Sequence, residues 1–356
     1  MSDIIRRKTK EIKVGALTVG GNAPITIQSM TDTVGFDATY AQMKALEEQG
    51  CDIVRMAVPD YESAKVLYSL KCSDIKMPIV ADIHFDYKLA LAAIDAGADK
   101  IRINPGNIGA DDRVKAVADA CRSKNLPIRV GVNSGSLSRE ALTKYGERSA
   151  EALAHSALFE VARLEKCDFD NIVISVKSSS VPLMIKANRI ISQSCDYPLH
   201  LGVTEAGGGT TGQIKGAVGI GTLISEGIGD TIRVSLSDAP EKEIECAKTI
   251  LRACGAYDRP CVDVVSCPTC GRTKIDIKSL SREFEARTKD IKVTRSVRVA
   301  IMGCVVNGPG EASDADFGIA GGDGEALFFR EGKSVYIIPE DKIIETLMRE
   351  LEKYRA

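Results

Sequence analysis

The sequence predicts an α/β fold, a (β/α)8 TIM barrel followed by a smaller α+β domain. Eight short strand-like runs recur between residues 25 and 237, and most segments between them are long enough for one helix. Strands and helices that alternate eight times are typical of this barrel. After about residue 256 the composition changes to closely spaced strand-like runs, so the predicted domains are 1–255 and 256–356.

The eight barrel runs alternate apolar and polar residues. In chain order they are ITIQSMT, IVRMAV, IVADIHF, KIRINPG, IRVGVNS, NIVISVKSS, LHLGVTEAG and TIRVSLS. In the last run, Ile232 and Val234 share one face and Arg233 lies on the other. Segments between the runs, such as YAQMKALEEQG, carry apolar residues at helical spacing. Because the helices must pack on the apolar face, the polar face of each strand is predicted to point into the barrel.

The predicted inward face carries a surplus of positive charge. Its ionisable side chains include Arg55, Arg102, Arg129, Lys177 and Arg233, against Asp82, in a chain whose formal net charge is −2. Buried like charges need a compensating anion, so the pattern predicts a deep pocket for a substrate with phosphate groups. The alternative is that these side chains reach the rim and pair with loop carboxylates.

Polar residues at the C-terminal ends of the strands are predicted to form the mouth of the pocket, because ligands of such barrels bind at that end. The candidate substrate-binding residues are Arg55, Asp82, His84, Arg102, Asn104, Arg129, Asn133, Lys177, Thr204 and Arg233, with Asn107, Ser134 and Ser178 also at the mouth. His84 and His200 are candidate acid–base groups. Glu205, beside the anion pocket, is a candidate to deliver or remove a proton.

The C-terminal segment contains the strand-like runs CVDVVS, SVRVAIMG, ADFGIAGG, EALFFREG and KSVYIIP, followed by the amphipathic helix DKIIETLMRELEKY. Short strands that precede a helix in this way predict a compact α+β module.

The thiols of this module are spaced like metal ligands. SCPTCGRT places Cys267 and Cys270 three residues apart on a turn, and MGCVVNGPGE adds Cys304. The fourth ligand is Cys261 or Glu311, because all three histidines of the chain lie in the barrel segment. Three thiolates with one exchangeable oxygen ligand suit a 4Fe-4S cluster, although the spacing alone leaves zinc open.

Together with QSMT, VRMAVP, ADIHF, RINPGN, RVGVNSGSL and VTEAG, these motifs resemble the 4-hydroxy-3-methylbut-2-enyl diphosphate synthase family. The members are iron-sulfur oxidoreductases of non-mevalonate isoprenoid biosynthesis, and the resemblance to their shorter two-domain form covers essentially the whole chain. It implies the reductive ring opening and dehydroxylation of 2-C-methyl-D-erythritol 2,4-cyclodiphosphate to 4-hydroxy-3-methylbut-2-enyl diphosphate. The two electrons for this reaction would pass through a 4Fe-4S cluster.

The resemblance also implies roles for particular residues. Cys267, Cys270, Cys304 and Glu311 would hold the cluster. Glu311 would yield its iron to a substrate oxygen, Asn307 would touch the substrate, and Glu205 would handle a proton.

A homodimer is expected. The eighth barrel helix, roughly Glu241 to Ala253, returns about 20 Å to the closed end of the barrel, and the link from Cys254 to Pro260 reaches about 25 Å at most. The cluster domain is therefore predicted to cap the mouth of a second chain. The resemblance likewise implies a head-to-tail dimer with a shared active site, and flavodoxin or ferredoxin as electron donor.

The composition excludes some functions and leaves others open. A net charge of −2 gives no reason to expect nucleic acid or a membrane as partner, and no run of about 20 apolar residues occurs. The N-terminus lacks the apolar region of a signal peptide, so a cytoplasmic location is expected. The alternatives are a barrel lyase or condensing enzyme with a structural zinc site, and a zinc-type nucleic-acid adaptor, which the absence of tryptophan disfavours.

Overall fold

The computed structural model describes residues 4–135, 137–146, 149–305, 310 and 312–356. The chain divides into two compact units, Met1–Tyr257 and Asp258–Ala356. The first unit is a parallel barrel and the second is a mixed sheet with helices, so the predicted fold class is confirmed. Within the described part of the chain, no helix is long and apolar enough to cross a membrane.

The first unit begins with an antiparallel hairpin, β1 (Ile12–Val14) and β2 (Leu17–Val19), which sequence analysis did not predict. The barrel strands follow as β3 (Thr26–Met30), β4 (Ile53–Ala57), β5 (Ile79–Asp82), β6 (Lys100–Ile103), β7 (Ile128–Asn133), β8 (Ile172–Lys177), β9 (His200–Leu201) and β10 (Thr231–Ile232). They pair in parallel in the order β8-β7-β6-β5-β4-β3-β10-β9. A parallel bridge between Ile174 and Leu199 joins the two ends of the sheet and closes the barrel.

Ten helices lie between or after the barrel strands in the described residues. They are α1 (Phe36–Glu48), α2 (Tyr61–Lys71), α3 (Tyr87–Asp95), α4 (Pro105–Ile108), α5 (Asp111–Ser123), α6 (Arg139–Tyr145), α7 (Ala150–Glu165), α8 (Val181–Ser194), α9 (Gly209–Ser225) and α10 (Pro240–Ala253). Several begin at a side-chain cap, as where the Asp60 carboxylate accepts from the Ser63 N–H at the start of α2. The eighth helix of the prediction corresponds to α10.

The alternation along the strands sorts their side chains between two environments. The apolar face, including Ile101, Ile128 and Ile232, packs with the helices in the main core. On the opposite face, the first positions are also apolar: Ile53, Val80 and Val173 pack against Ile12, Val14 and Val19 of the hairpin. The hairpin therefore closes the N-terminal end of the barrel, and polar inward residues begin above this layer.

The second unit contains one five-stranded sheet. Its elements are β11 (Val262–Ser266), α11 (Ile277–Thr288), β12 (Val297–Met302), β13 (Phe317–Gly321), β14 (Glu325–Arg330), β15 (Lys333–Pro339) and α12 (Ile343–Leu351). The sheet order follows the chain, with the first three strands parallel and the last two pairs antiparallel. Helix α11 was not predicted, because its segment is mostly polar and few of its side chains, such as Phe284, are buried.

Candidate active site

The interior of the barrel above the hairpin layer is lined by cations. They are Arg55, Lys100, Arg102, Arg129, Lys177 and Arg233. Five of them were predicted from the alternation, and Lys100, at the first position of β6, was missed. Lys100 and Arg129 are 0% and 1% exposed. Six buried or half-buried cations in one interior require counter-charges.

Asp82 supplies the first counter-charge. Its carboxylate lies 2.9 Å from Nη1 of Arg102, 3.5 Å from Nε of Arg55 and 3.6 Å from Nε2 of His84. Burial alone would raise the pKa of Asp82, but the guanidiniums of Arg55 and Arg102 and the His84 hydrogen bond hold this pKa far below its ordinary value. Asp82 is therefore an anion that fixes two of the inward arginines.

Glu243 supplies the second counter-charge and was not predicted. This residue of α10 accepts from Nε and Nη2 of Arg233 at 3.1 and 3.0 Å. Arg233 thus pairs with a buried carboxylate of a helix, which differs from the rim and the loop carboxylates of the alternative interpretation. No sequence signal marks Glu243, because the helix dipole makes acidic residues common in the first turn of any helix.

Among the described residues, Arg129 makes no direct ion pair with a carboxylate. Its Nε, Nη1 and Nη2 are all buried without a hydrogen-bond partner among the described residues. Burial and the neighbouring Arg55 and Arg102 guanidiniums lower the pKa of Arg129 well below its ordinary range. A guanidinium keeps its proton in proteins, so Arg129 stays charged. The cost of its burial and its repulsion by the neighbouring arginines therefore favour the binding of an anion.

Lys100 and His200 share this environment. The Nζ of Lys100 has no partner in the described part of the chain, and burial together with Arg129 lowers its pKa to about 7. Burial and Arg129 also hold the pKa of His200 well below its ordinary value. These effects favour the neutral form of the His200 imidazole, whose Nδ1 lies 3.4 Å from the Thr231 hydroxyl.

Two inward glycines make room for the cations. A Cβ on Gly131 would lie 2.6 Å from Nε of Arg102. A Cβ on Gly202 would lie 2.5 Å from the Arg233 carbonyl oxygen and 2.8 Å from Nζ of Lys177. Real Cβ atoms do not approach other atoms this closely, so a larger residue at either position requires these neighbouring atoms to shift.

The predicted mouth residues fall into two groups. Asn104 and Asn133 use their side-chain oxygens to accept backbone N–H groups of Gly106 and Gly135, at 3.1 and 3.0 Å, so they shape the loops after their strands. Glu205, by contrast, is exposed and lies in the left-handed region with φ of 53°. Such a conformation is uncommon for a residue other than glycine, and Glu205 shares it with Asn125, Asp168 and Glu331 in the described chain.

The remaining predicted mouth residues are also at strand ends. Ser134 and Ser178 contact each other through their hydroxyls at 3.3 Å, and the Thr204 N–H donates to the Ser178 carbonyl at 3.4 Å. Asn107 lies in α4 directly after β6. The hydroxyl groups of Ser134 and Ser178 thus join the loops that follow β7 and β8.

The predicted thiol ligands lie at the C-terminal ends of two adjacent strands of the second unit. Cys267 directly follows β11 and Cys304 lies two residues after β12. The Gly303 N–H donates to Sγ of Cys267 at 3.3 Å, and the Lys274 N–H donates to the Gly303 carbonyl at 3.0 Å. These bonds join the Cys267–Cys270 turn to the residue before Cys304.

The structure narrows the choice of a fourth ligand. Cys261 directly precedes β11, whereas Cys267 follows it, and a five-residue strand separates its ends by about 17 Å. Cys261 is therefore at the wrong end of the strand. Glu311 and Asn307 lie outside the described residues.

The thiol set suits a soft metal or an iron-sulfur group. All cysteines of the described chain are free thiols. Among described residues, no group of three or more His, Cys, Asp or Glu side chains is placed to hold a metal ion. The donor chemistry and the N–H···S bond at Cys267 nevertheless fit an iron-sulfur cluster, whose sulfur ligands commonly accept such bonds.

A closed parallel barrel with a cationic interior, followed in the chain by a sheet unit with thiols at its strand ends, is the architecture of a two-domain barrel enzyme. Residues 9–248 match the GcpE TIM-barrel domain, and residues 263–353 match the GcpE protein C-terminal domain. The chain belongs to the GcpE family.

Curated relatives agree over almost the full length. A protein from Caldanaerobacter subterraneus subsp. tengcongensis is 54% identical over 351 residues, which cover 98% of both chains. One from Clostridium perfringens is 53% identical over 349 residues, covering 98% of this chain and 99% of the relative. Both are named 4-hydroxy-3-methylbut-2-en-1-yl diphosphate synthase (flavodoxin). The resemblance found in the sequence motifs is confirmed, and the chain is an enzyme.

Solved structures share the barrel fold at low identity. Dihydropteroate synthase from Burkholderia cenocepacia has a TM-score of 0.50 and 13% identity, covering 69% of this chain and 98% of its own. The Yersinia pestis dihydropteroate synthase has the same TM-score and 11% identity, covering 68% and 98%. At this identity the likeness shows the fold alone.

Proposed function

We propose that this enzyme catalyses the reductive ring opening and dehydroxylation of 2-C-methyl-D-erythritol 2,4-cyclodiphosphate to 4-hydroxy-3-methylbut-2-enyl diphosphate, a step of isoprenoid biosynthesis. Family membership and the names of the relatives support this reaction. The single structural observation that carries it is Arg129, a buried guanidinium without a partner in the described residues. A doubly phosphorylated substrate supplies the anion that this side chain lacks.

The substrate-binding residues in this proposal lie along the barrel interior and at its mouth. They are Arg55, Asp82, His84, Arg102, Asn104, Arg129, Asn133, Lys177, Thr204 and Arg233. The arginines bind phosphate oxygens through their planar forks, and Lys177 acts as a point charge. Asp82 orients Arg55 and Arg102, and the two asparagines shape the loops at the mouth, as their contacts indicate. Residues 1–255 thus form the substrate-binding domain.

Residues 256–356 are proposed to hold a 4Fe-4S cluster through Cys267, Cys270, Cys304 and Glu311. When bound, this group supplies single electrons, which no side chain provides. Cys267 and Cys304 follow adjacent strands, as ligands of one group require. Hydrogen bonding to the Arg272 backbone and the Thr273 hydroxyl lowers the pKa of Cys270 and favours the thiolate that a metal needs.

Glu205 is the proposed proton-handling residue, with Asn307 as a further substrate contact. The departing hydroxyl leaves as water and requires a proton, which the Glu205 carboxyl would deliver. Its exposed, left-handed position at the mouth is compatible with this task.

Flavodoxin is the proposed electron donor, because the relatives carry it in their names; ferredoxin would serve the same purpose. A cytoplasmic location is proposed because eleven free thiols persist best in a reducing compartment.

A homodimer with an active site shared between subunits completes the proposal, supported by the chain-length argument above. Mixing a Glu205→Ala chain with a Cys270→Ala chain, each inactive alone, should restore partial activity. Formation of the heterodimer without any recovered turnover would contradict the shared site.

The proposed reaction is tested on anaerobically purified protein. We expect brown protein with about four iron and four sulfide ions per chain and reductant-dependent conversion of the cyclodiphosphate. Stoichiometric zinc without inorganic sulfide would instead support the lyase alternative and overturn the proposal.

A further inference from the structure

We infer that Glu243 is a positioning residue of the substrate site: its carboxylate directs the Arg233 fork and removes one positive charge from the pocket. The inference rests on the proposed function. Glu243 is 2% exposed and lies in the first turn of α10, outside the barrel strands whose alternation marks the other candidate residues.

Four hydrogen bonds fix the Glu243 carboxylate. Oε2 accepts from the Ser29 hydroxyl at 3.0 Å and from Nε of Arg233 at 3.1 Å. Oε1 accepts from Nη2 of Arg233 at 3.0 Å and from the Leu236 N–H at 3.1 Å. One carboxylate therefore joins β3, the end of β10 and the segment that follows it.

These bonds determine which part of Arg233 faces the pocket. With Nε and Nη2 held by Glu243, Nη1 is the guanidinium nitrogen left toward the interior, 3.6 Å from Sδ of Met30. The same sulfur lies 2.8 Å from Nη2 of Arg55. Arg55 and Arg233 thus flank one thioether, so their guanidinium groups are neighbours on one side of the interior.

Glu243 also limits the charge of the pocket. Asp82 and Glu243 are the two carboxylates that the described residues pair with the inward arginines. Because the Glu243 carboxylate offsets one cation, it weakens the attraction of the pocket for anions. The same carboxylate holds the Arg233 guanidinium in one orientation. Orientation matters for turnover, since misplaced groups slow a reaction even when binding is retained.

Replacing Glu243 by glutamine separates these two effects. The amide cannot accept both Arg233 N–H groups and the Leu236 N–H, and it removes the negative charge. Arg233 then turns toward the pocket, so anions bind equally well or up to about tenfold more tightly, while kcat falls about 10- to 100-fold. A merely structural residue would instead show weaker anion binding and a lower melting temperature.

The test uses full-length protein and two measurements. Calorimetric titration with inorganic pyrophosphate gives the Kd, and steady-state assays with the cyclodiphosphate give kcat and KM. Glu243→Gln should lower kcat without raising Kd or KM, and Glu241→Gln, on the same helical turn, should match the wild type. A Glu243→Gln kcat within twofold of the wild type would overturn the inference, as would a raised Kd with a lowered melting temperature.

Arg233→Lys alone keeps the test decisive if Glu243→Gln folds poorly, and the double mutant tests whether Glu243 acts through Arg233. Arg233→Lys keeps the charge and loses the fork, so it should lower kcat, and adding Glu243→Gln should lower it little further. Additive losses would contradict a role through Arg233. Wild-type protein that neither binds pyrophosphate nor turns over the cyclodiphosphate would instead refute the proposed function itself.

Discussion

The barrel interior and the thiol end of the second unit are built on opposite principles. In the barrel, Lys100 and Arg129 are fully buried, two carboxylates hold Arg55, Arg102 and Arg233, and two glycines leave space for neighbouring side chains. At the thiol end, Cys270 is exposed and Cys267 and Cys304 are half-buried. The first site holds most of its arginines through the protein's own carboxylates and leaves Arg129 for a bound anion, whereas the second is suited to be completed by the group that it binds.

The largest expected effect is a loss of turnover, and it comes from a substitution at the thiol end of the second unit. Cys270→Ala should reduce turnover by a factor on the order of 1,000 or more, because the proposed cluster would lose a ligand and with it the electrons for the reaction. Iron and sulfide analysis together with the activity assay checks this. Cys72→Ala, which removes another exposed thiol, is the matched control and should leave both unchanged.

Arg129→Met tests the barrel side. Pyrophosphate binding should weaken by about 100-fold, because the buried anion-binding group is gone. The melting temperature should rise by several degrees, because an unpaired buried charge is removed. Calorimetry and thermal denaturation measure the two effects. A variant that is less stable but binds normally would show that Arg129 is structural.

Gly131→Ala tests whether the interior is sterically preorganised. The added methyl group would lie 2.6 Å from Nε of Arg102, so the guanidinium must move, and pyrophosphate should bind about tenfold more weakly, a loss of about 1.4 kcal/mol. Gly135→Ala is the control, because its Cβ would meet only Oδ1 of Asn133, at 3.5 Å. Equal Kd values for the two variants would show that Arg102 adapts freely.

The smallest change in turnover is expected from Lys100→Met. This substitution should instead change how the free energy of unfolding depends on pH. The pKa of Lys100 is about 7 when folded and near 10.5 when unfolded. Between these values the unfolded chain binds the extra proton, so wild-type stability gains up to about 1.4 kcal/mol per pH unit from this group as pH rises.

Lys100→Met lacks that gain. It should therefore be more stable than the wild type near pH 7, and its advantage should shrink as pH approaches 10. Urea denaturation at several pH values measures the difference. A constant difference across this range would mean that Lys100 titrates normally in the folded protein.

The barrel and its inward cations could be predicted because period-two alternation is a local property. In IRVGVN, each residue's face follows from its neighbours, and Arg129 is placed without tertiary information. The hairpin β1–β2 was missed because two three-residue strands carry too little periodicity. Glu243 was missed because its contacts depend on how α10 returns to the barrel, which no local pattern encodes.

The ligands of the thiol end were likewise only partly predictable from local sequence. The spacing of Cys267 and Cys270 predicts a turn with two ligands, but the choice between Cys261 and Glu311 depends on where β11 begins and ends. Once those bounds are known, Cys261 lies at the far end of the strand from Cys267. The preference for glycine at Gly131 and Gly202 likewise follows only once their neighbours across the barrel are known.

The barrel cations are proposed to supply most of the binding energy for the diphosphate, and the thiol unit is proposed to supply the redox chemistry. Calorimetric titration of the Cys270→Ala protein with the cyclodiphosphate tests this most directly. We predict a Kd within about threefold of the wild type despite the loss of turnover, since the phosphate-binding arginines are unchanged. Loss of binding in this variant would contradict the account.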